Sequence, residues 1–243
     1  MTQKNINTQH SNNNKPCPIT VLFDLDGTLV DSTKDLYAAL QETFGDALPD
    51  LDLGEVHSLI REGGLAKIRD WFHLHHSDPA HLKRLSQLNR AFAEQSVDFS
   101  TPFPGIEDLL AFLAEHQIPW GIVTNKIQRL TTPLLERLGW ATQAKVVVCG
   151  DTLSFRKPHP APLWRAQKAF SNDLEDTFFV GDSQRDIQAA SAAGMIGVLA
   201  CFGSTPGISE ASAWGADHLI TEPHALKTIL LTHLTKANNR HVE

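Results

Sequence analysis

Downstream of residue 105 the chain alternates short apolar runs with helical stretches, an order that few folds accommodate. The runs are Pro119 to Thr124, Lys145 to Cys149, Thr177 to Gly181, Met195 to Ala200 and His218 to Thr221. Between them, apolar residues at helical spacing predict helices at about 106–117, 127–138, 160–171, 184–193 and 223–235, with Gly139 and Gly194 in stop positions. Such alternation implies right-handed crossovers and a parallel sheet covered by helices. An earlier run beginning at Ile19 belongs to the same sheet. From residue 33 to about 100 no strand pattern occurs. Ser32-Thr33-Lys34-Asp35 reads as a capping box opening a helix with the stripe Leu36, Ala39, Leu40, Thr43 and Phe44. Further helices are expected over Glu55 to Arg61, Leu65 to His76 and Pro79 to Val97. The punctuation S-T-P-F-P-G at 100–105 closes this segment, which is therefore an insertion into an α/β core.

Ligands of open parallel sheets bind beyond the carboxyl ends of the strands, so the residues just past each apolar run carry the chemistry. The first run stops on Asp24 and Asp26. Alternate side chains of an extended chain share a face, so both carboxylates leave the strand end together before Gly27 permits a tight turn. Two acids there repel unless a cation neutralises them, and a hard ion such as Mg2+ prefers oxygen donors. The second run ends in Thr124 and Asn125. After the third comes Ser154-Phe155-Arg156-Lys157-Pro158, and the fourth ends in Gly181-Asp182-Ser183-Gln184-Arg185-Asp186. Taken singly, Thr124 reads equally well as a helix cap, Lys157 as a solvated lysine, and Ser183 or Asp182 as the cap of the helix that follows.

Together, D-x-D-G-T-L-x-D-S from Asp24, T-N at 124, Lys157 and G-D-S-x-x-D from Gly181 resemble the four motifs of the haloacid dehalogenase-like superfamily, whose members are mostly Mg2+-dependent phosphatases. The resemblance covers about 18–235 and implies a Rossmann-like parallel sheet core with an inserted all-helical cap. It divides the chain into a catalytic core over 18–32 and 101–243 and a cap over 33–100, behind an Asn-rich polar tail over 1–17 that reads as disordered. By the same resemblance Asp24 is the nucleophile that forms an aspartyl phosphate and Asp26 the general acid and base. Thr124 binds phosphoryl oxygens with Asn125 beside it, and Lys157 balances charge on Asp24 and the phosphoryl group. Asp182 ligates Mg2+ with Asp24 and the main-chain oxygen of Asp26, while Asp186 orients the metal waters.

The tracts G-I-V-T-N-K and W-G-A-D-H-L-I look like the phosphoglycolate phosphatase branch, which phosphatases of N-acetylmuramic acid 6-phosphate also resemble. A related sugar phosphomutase is the alternative of another class. A non-catalytic protein on this fold is disfavoured because no motif acid is missing. The core addresses only the phosphoryl group, so the substrate must be read from the insertion. Arg61-Glu62-Gly63-Gly64, where two glycines let the backbone approach a ligand, is expected to do this through Arg61, Gly63 and Gly64; an ordinary interhelical turn is the bland reading. His73, His75, His76 and His81 lack a Cys or suitably spaced acid and read as a wet helix face.

Composition narrows the partners. The formal charge of −7 argues against nucleic acid, which demands clustered Lys and Arg. No apolar run approaches the roughly 20 residues of a membrane span. Cys17, Cys149 and Cys201 form no metal-type spacing and leave an odd count, which suits a reducing cytoplasm. The expected ligand is a small phosphorylated metabolite.

Overall fold

The computed structural model describes residues 17–62, 68, 72–73, 78–96, 99–203 and 213–240. The tail expected over 1–17 lies outside them apart from Cys17. A six-stranded sheet is built from β1 (Thr20–Phe23), β4 (Trp120–Val123), β5 (Val147–Val148), β6 (Thr177–Gly181), β7 (Ile196–Ala200) and β8 (His218–Ile220), in the order β5-β4-β1-β6-β7-β8. Every neighbouring pair is parallel. The expected α/β sheet is therefore present, with the first apolar run in its interior. That position explains why both faces of β1 are apolar. Val21 and Phe23 point to one side with Trp120, Phe178 and Val180, and Leu22 points to the other with Val123 and Phe179.

Helices cover both faces. On the first lie α4 (Ile106–Glu115), α5 (Gln128–Arg137) and α8 (His224–Arg240), which contribute Leu109, Leu113, Leu134 and Leu226. On the second lie α6 (Ala161–Gln167) and α7 (Gln184–Ala193), which contribute Leu163, Ala166 and a small-residue stripe of Ala189, Ala190 and Ala193. Helix α6 stops earlier than expected, at Gln167, where the backbone tightens into turns in which the Ala169 and Phe170 N–H groups bond the Ala166 and Gln167 carbonyls.

Between β1 and β4 the described residues of 33–96 contain no strand and include α1 (Thr33–Phe44), α2 (Leu53–Glu62) and α3 (Pro79–Ser96). They pack a cluster of their own around Leu36, Leu40, Val56, Leu59, Ile68 and Leu88, with the rings of Phe44 and Phe72 stacked at 3.8 Å. Of the helix expected over Leu65 to His76, only Ile68, Phe72 and His73 lie within the described residues.

Two local features differ from expectation. The capping box at Ser32 is absent: the Thr33 N–H is taken by Asp31 Oδ1 at 3.0 Å, and Asp35 bonds instead to the Ser100 hydroxyl. Asp35 is thereby used to tie the two ends of the helical segment together. Those ends also pair as a two-stranded ribbon, β2 (Val30–Asp31) against β3 (Thr101–Pro102), where punctuation alone was expected. Pro102 is tolerated because the ribbon is short and open-edged. No helix among the described residues is long and apolar enough to cross a membrane.

Leu22 is fully buried in the sheet centre. Leu22→Ala is expected to lower unfolding free energy by about 2–5 kcal/mol in chemical denaturation, since the rigid strand cannot close the cavity.

Candidate active site

The carboxyl end of β1 sets the geometry. The Asp24 N–H still bonds the Val180 carbonyl at 2.8 Å, so this residue is held as an extension of the strand, and its Oδ1 accepts the Leu25 N–H at 2.7 Å. The chain then turns at Gly27, whose φ of 86° suits glycine, and the Gly27 N–H closes the turn on the Val30 carbonyl at 2.9 Å. A second reason for glycine is room: a Cβ there would lie 2.2 Å from Asp182 Oδ2.

Three acids and one ammonium converge on this end of the sheet. One carboxylate oxygen from each of Asp24, Asp182 and Asp186 lies within 4.8 Å of the others, the only such grouping of His, Cys and acidic residues able to hold a metal among the described residues. Lys157 Nζ stands 2.8 Å from Asp24 Oδ1 and 2.7 Å from Asp186 Oδ1, at ion-pair distance though not at hydrogen-bond angles. Burial pushes the Asp24 carboxyl up to about 6 against the pull of Lys157, with Asp186 adding to the rise. Burial also drives Asp182 well above the usual carboxylate range, reinforced by Asp186 and Asp24, and its Oδ2 has no hydrogen-bond partner. Lys157 behaves oppositely. Burial works against its charge, but Asp186 and Asp24 more than offset this and raise it above an ordinary lysine.

The other strand ends hold these groups in place. Asn125 accepts the Lys157 N–H at 3.1 Å and donates to the Lys157 carbonyl at 3.0 Å, so its carboxamide clamps the peptide that carries the lysine. Thr124, almost fully buried, accepts the Lys126 N–H on its hydroxyl at 3.1 Å. Asp186 accepts from both the N–H and hydroxyl of Ser183, the capping box of α7, while its other oxygen faces Lys157. Of the two caps the sequence allows, Ser183 is the one at the start of α7, and Asp186 both completes its capping box and faces Lys157. A Cβ on Gly181 would lie 2.3 Å from the Asp186 Cβ, so glycine is needed there for the carboxylate to stay.

Lys126 was not among the expected site residues. Its Nζ donates to Asp26 Oδ1 at 2.9 Å and lies 4.2 Å from the Phe92 ring centroid on α3. The available signal was its place directly after T-N at a strand end.

Arg61 falls near the end of α2, where only the backbone is described, and Gly63 and Gly64 lie outside the described residues. Of the histidines in the insertion, His73 is exposed, His81 lies 3.6 Å from Asp78, and His75 and His76 lie outside the described residues. His159 stacks on Phe155 and accepts the Ala161 N–H.

This arrangement of strand-end acids and a clamped lysine coincides with a family match: residues 21–200 fit the model of the haloacid dehalogenase-like hydrolases. The chain belongs to that family. It is 37% identical over 216 residues to the phosphoglycolate phosphatase of Xanthomonas campestris pv. campestris, covering 86% of this chain and 95% of that one. It is 32% identical over 211 residues to the N-acetylmuramic acid 6-phosphate phosphatase of Pseudomonas aeruginosa, covering 86% and 93%. A crystal structure described as a predicted phosphoglycolate phosphatase from Haemophilus somnus superposes with a TM-score of 0.73 at 25% identity, covering 86% of this chain and 96% of that one. Both groups of relatives are phosphatases, and so is this enzyme.

The raised Asp24 has a consequence for stability. A carboxyl whose folded value of about 6 exceeds its ordinary 3.8 binds more protons folded than unfolded, so its ionisation costs stability as pH rises through the window between them. In chelator, Asp24→Asn is therefore expected to melt at or above the wild-type temperature at pH 7.5. Paired thermal melts should show that margin shrinking as pH falls below 6 and vanishing near 4.

Proposed function

We propose that this phosphatase is a Mg2+-dependent phosphomonoesterase that acts on a small phosphorylated metabolite, 2-phosphoglycolate first, through an aspartyl phosphate on Asp24. The observation that carries this reading is the 2.8 Å pairing of Lys157 with Asp24 beside two further buried acids at the strand ends. The donor set fits a hard divalent cation: three carboxylates crowd together, two of them pushed up by burial, and Asp182 Oδ2 is buried without a partner. Asp24, Asp182 and the main-chain oxygen of Asp26 would hold it, with Asp186 behind. When bound, Mg2+ supplies positive charge to the phosphoryl oxygens and to the crowded carboxylates.

The residues of the chain then divide the reaction. A carboxylate approaching a phosphate dianion is opposed by charge, and the Lys157 ammonium offsets that repulsion and stabilises the equatorial oxygens. Thr124 keeps its hydroxyl proton to donate to one of them, and Asn125 fixes the peptide of Lys157. Asp24 attacks phosphorus as the ester P–O bond breaks, and Asp26 protonates the departing alkoxide. Asp26 then takes a proton from the water that attacks the aspartyl phosphate, releasing phosphate and restoring Asp24. The core over 18–32 and 101–243 performs these steps. The helical cap over 33–100 excludes bulk water, with Arg61, Gly63 and Gly64 reading the leaving group.

Relatives named for 2-phosphoglycolate are the more similar, which ranks that substrate first; those named for N-acetylmuramic acid 6-phosphate support the second reading. Both substrates carry a carboxylate besides the phosphate. Ranked kcat/KM values with Mg2+ for these two esters, hexose phosphates and nucleoside monophosphates should place 2-phosphoglycolate highest. Activity should disappear in excess chelator and return with Mg2+. A higher value for the muramic acid ester would transfer the assignment to it, and full turnover in chelator would remove the metal.

A further inference from the structure

The loop after β4 carries a buried cation that the phosphoryl chemistry above does not use. Lys126 is 8% exposed, and an ammonium so placed needs a partner to offset its lost hydration. It has an acid on one side and an aromatic face on the other. Nζ donates to Asp26 Oδ1 at 2.9 Å and sits 4.2 Å from the Phe92 ring centroid, in the range of a cation–π contact. Its backbone is pinned at both polar groups, the N–H to Thr124 Oγ1 at 3.1 Å and the carbonyl accepting the Gly150 N–H at 2.8 Å. The lysine therefore stands on a fixed base within the site loop and touches the helical segment at its tip. Asp35, buried at the start of α1, also lies within reach of its charge.

We infer that Lys126 is the positioning residue for Asp26, and that Phe92 makes this positioning depend on α3 being seated over the core. The inference rests on the reading of Asp26 as general acid and base. A carboxyl group held at Oδ1 cannot rotate freely, which leaves Oδ2 as the oxygen presented to the reacting oxygens. In the first step the Asp24–phosphorus bond forms, the ester P–O bond breaks, and the proton on Asp26 passes to the departing oxygen. A misaligned Asp26 harms this step in proportion to how badly the leaving group needs that proton. An alkoxide needs it and a nitrophenolate hardly does, so the two kinds of ester separate the positioning role from a purely structural one.

The test compares 2-phosphoglycolate, an alkyl ester, with 4-nitrophenyl phosphate, using kcat/KM because it reports steps only through phosphorylation of Asp24. Lys126→Met should lower kcat/KM for the alkyl ester by about 10²-fold, the lower end of what general acid catalysis contributes, and for the aryl ester by less than about tenfold. Lys126→Arg, which can still reach and hold the carboxylate, should recover most of the loss. Phe92→Leu should shift the ratio in the same direction by a smaller factor, and it carries the test if Lys126→Met does not fold. Equal losses on both esters, or no loss on either in folded variants, would overturn the inference while leaving the phosphatase reading intact. Wild-type inactivity on both esters and on N-acetylmuramic acid 6-phosphate would overturn that reading and the inference with it; if only the muramic acid ester is turned over, it replaces 2-phosphoglycolate as the alkyl ester of the comparison.

Discussion

The ammonium of Lys157 between Asp24 and Asp186 is the interaction on which the rest of the site depends. Three carboxylates in a poorly hydrated corner of the sheet repel one another and resist ionisation, as the rise in Asp24 and Asp182 records. Removing the buried cation that touches two of them would leave charge without compensation, at a cost of about 3–5 kcal/mol for a broken buried pair. Much of the local structure serves to keep that cation in place. Asn125 clamps its peptide, the capping box of α7 fixes Asp186, and Gly27 and Gly181 leave the space that Asp182 and Asp186 occupy. Stability and chemistry are thus opposed at this point, since the crowding of like charge that strains the folded chain is what the proposed divalent cation and phosphate chemistry would use.

The division of labour between sheet and helices follows from the same geometry. Strand ends that address only a phosphoryl group cannot distinguish one ester from another. The helices of 33–96 are tethered where they can contribute. Both ends of the segment meet in the β2–β3 ribbon, and Asp35, Ser100 and Arg137 join α1, the returning chain and α5. Lys126 extends this tether from the core side by reaching Phe92.

The sheet was legible in the sequence because each of its strands is a short apolar run buried on both faces, and residues such as Leu22, Phe179 and Val123 leave no other environment for it. The convergence of Asp24, Lys157, Asp182 and Asp186 was legible for a related reason, since topology alone brings strand ends together. Features set by single tertiary contacts were not. Asp35 resembles a capping residue until Ser100 is placed beside it, and a two-residue ribbon carries no periodicity at all. Lys126 looks like any solvated lysine, and only the packing of α3 reveals that it is buried. Around Arg61 to Gly64, proposed above to read the leaving group, local pattern predicts a turn and gives no direction to its side chains.

The central claim is that the phosphoryl group passes through Asp24. Steady-state enzyme turning over 2-phosphoglycolate with Mg2+ can be quenched in acid, reduced with borohydride and digested, which converts an aspartyl phosphate to homoserine. Mass spectrometry should find homoserine at position 24, dependent on substrate and absent from Asp24→Asn, which should itself be inactive. Sustained turnover with unmodified Asp24, or homoserine at another acid, would contradict the account.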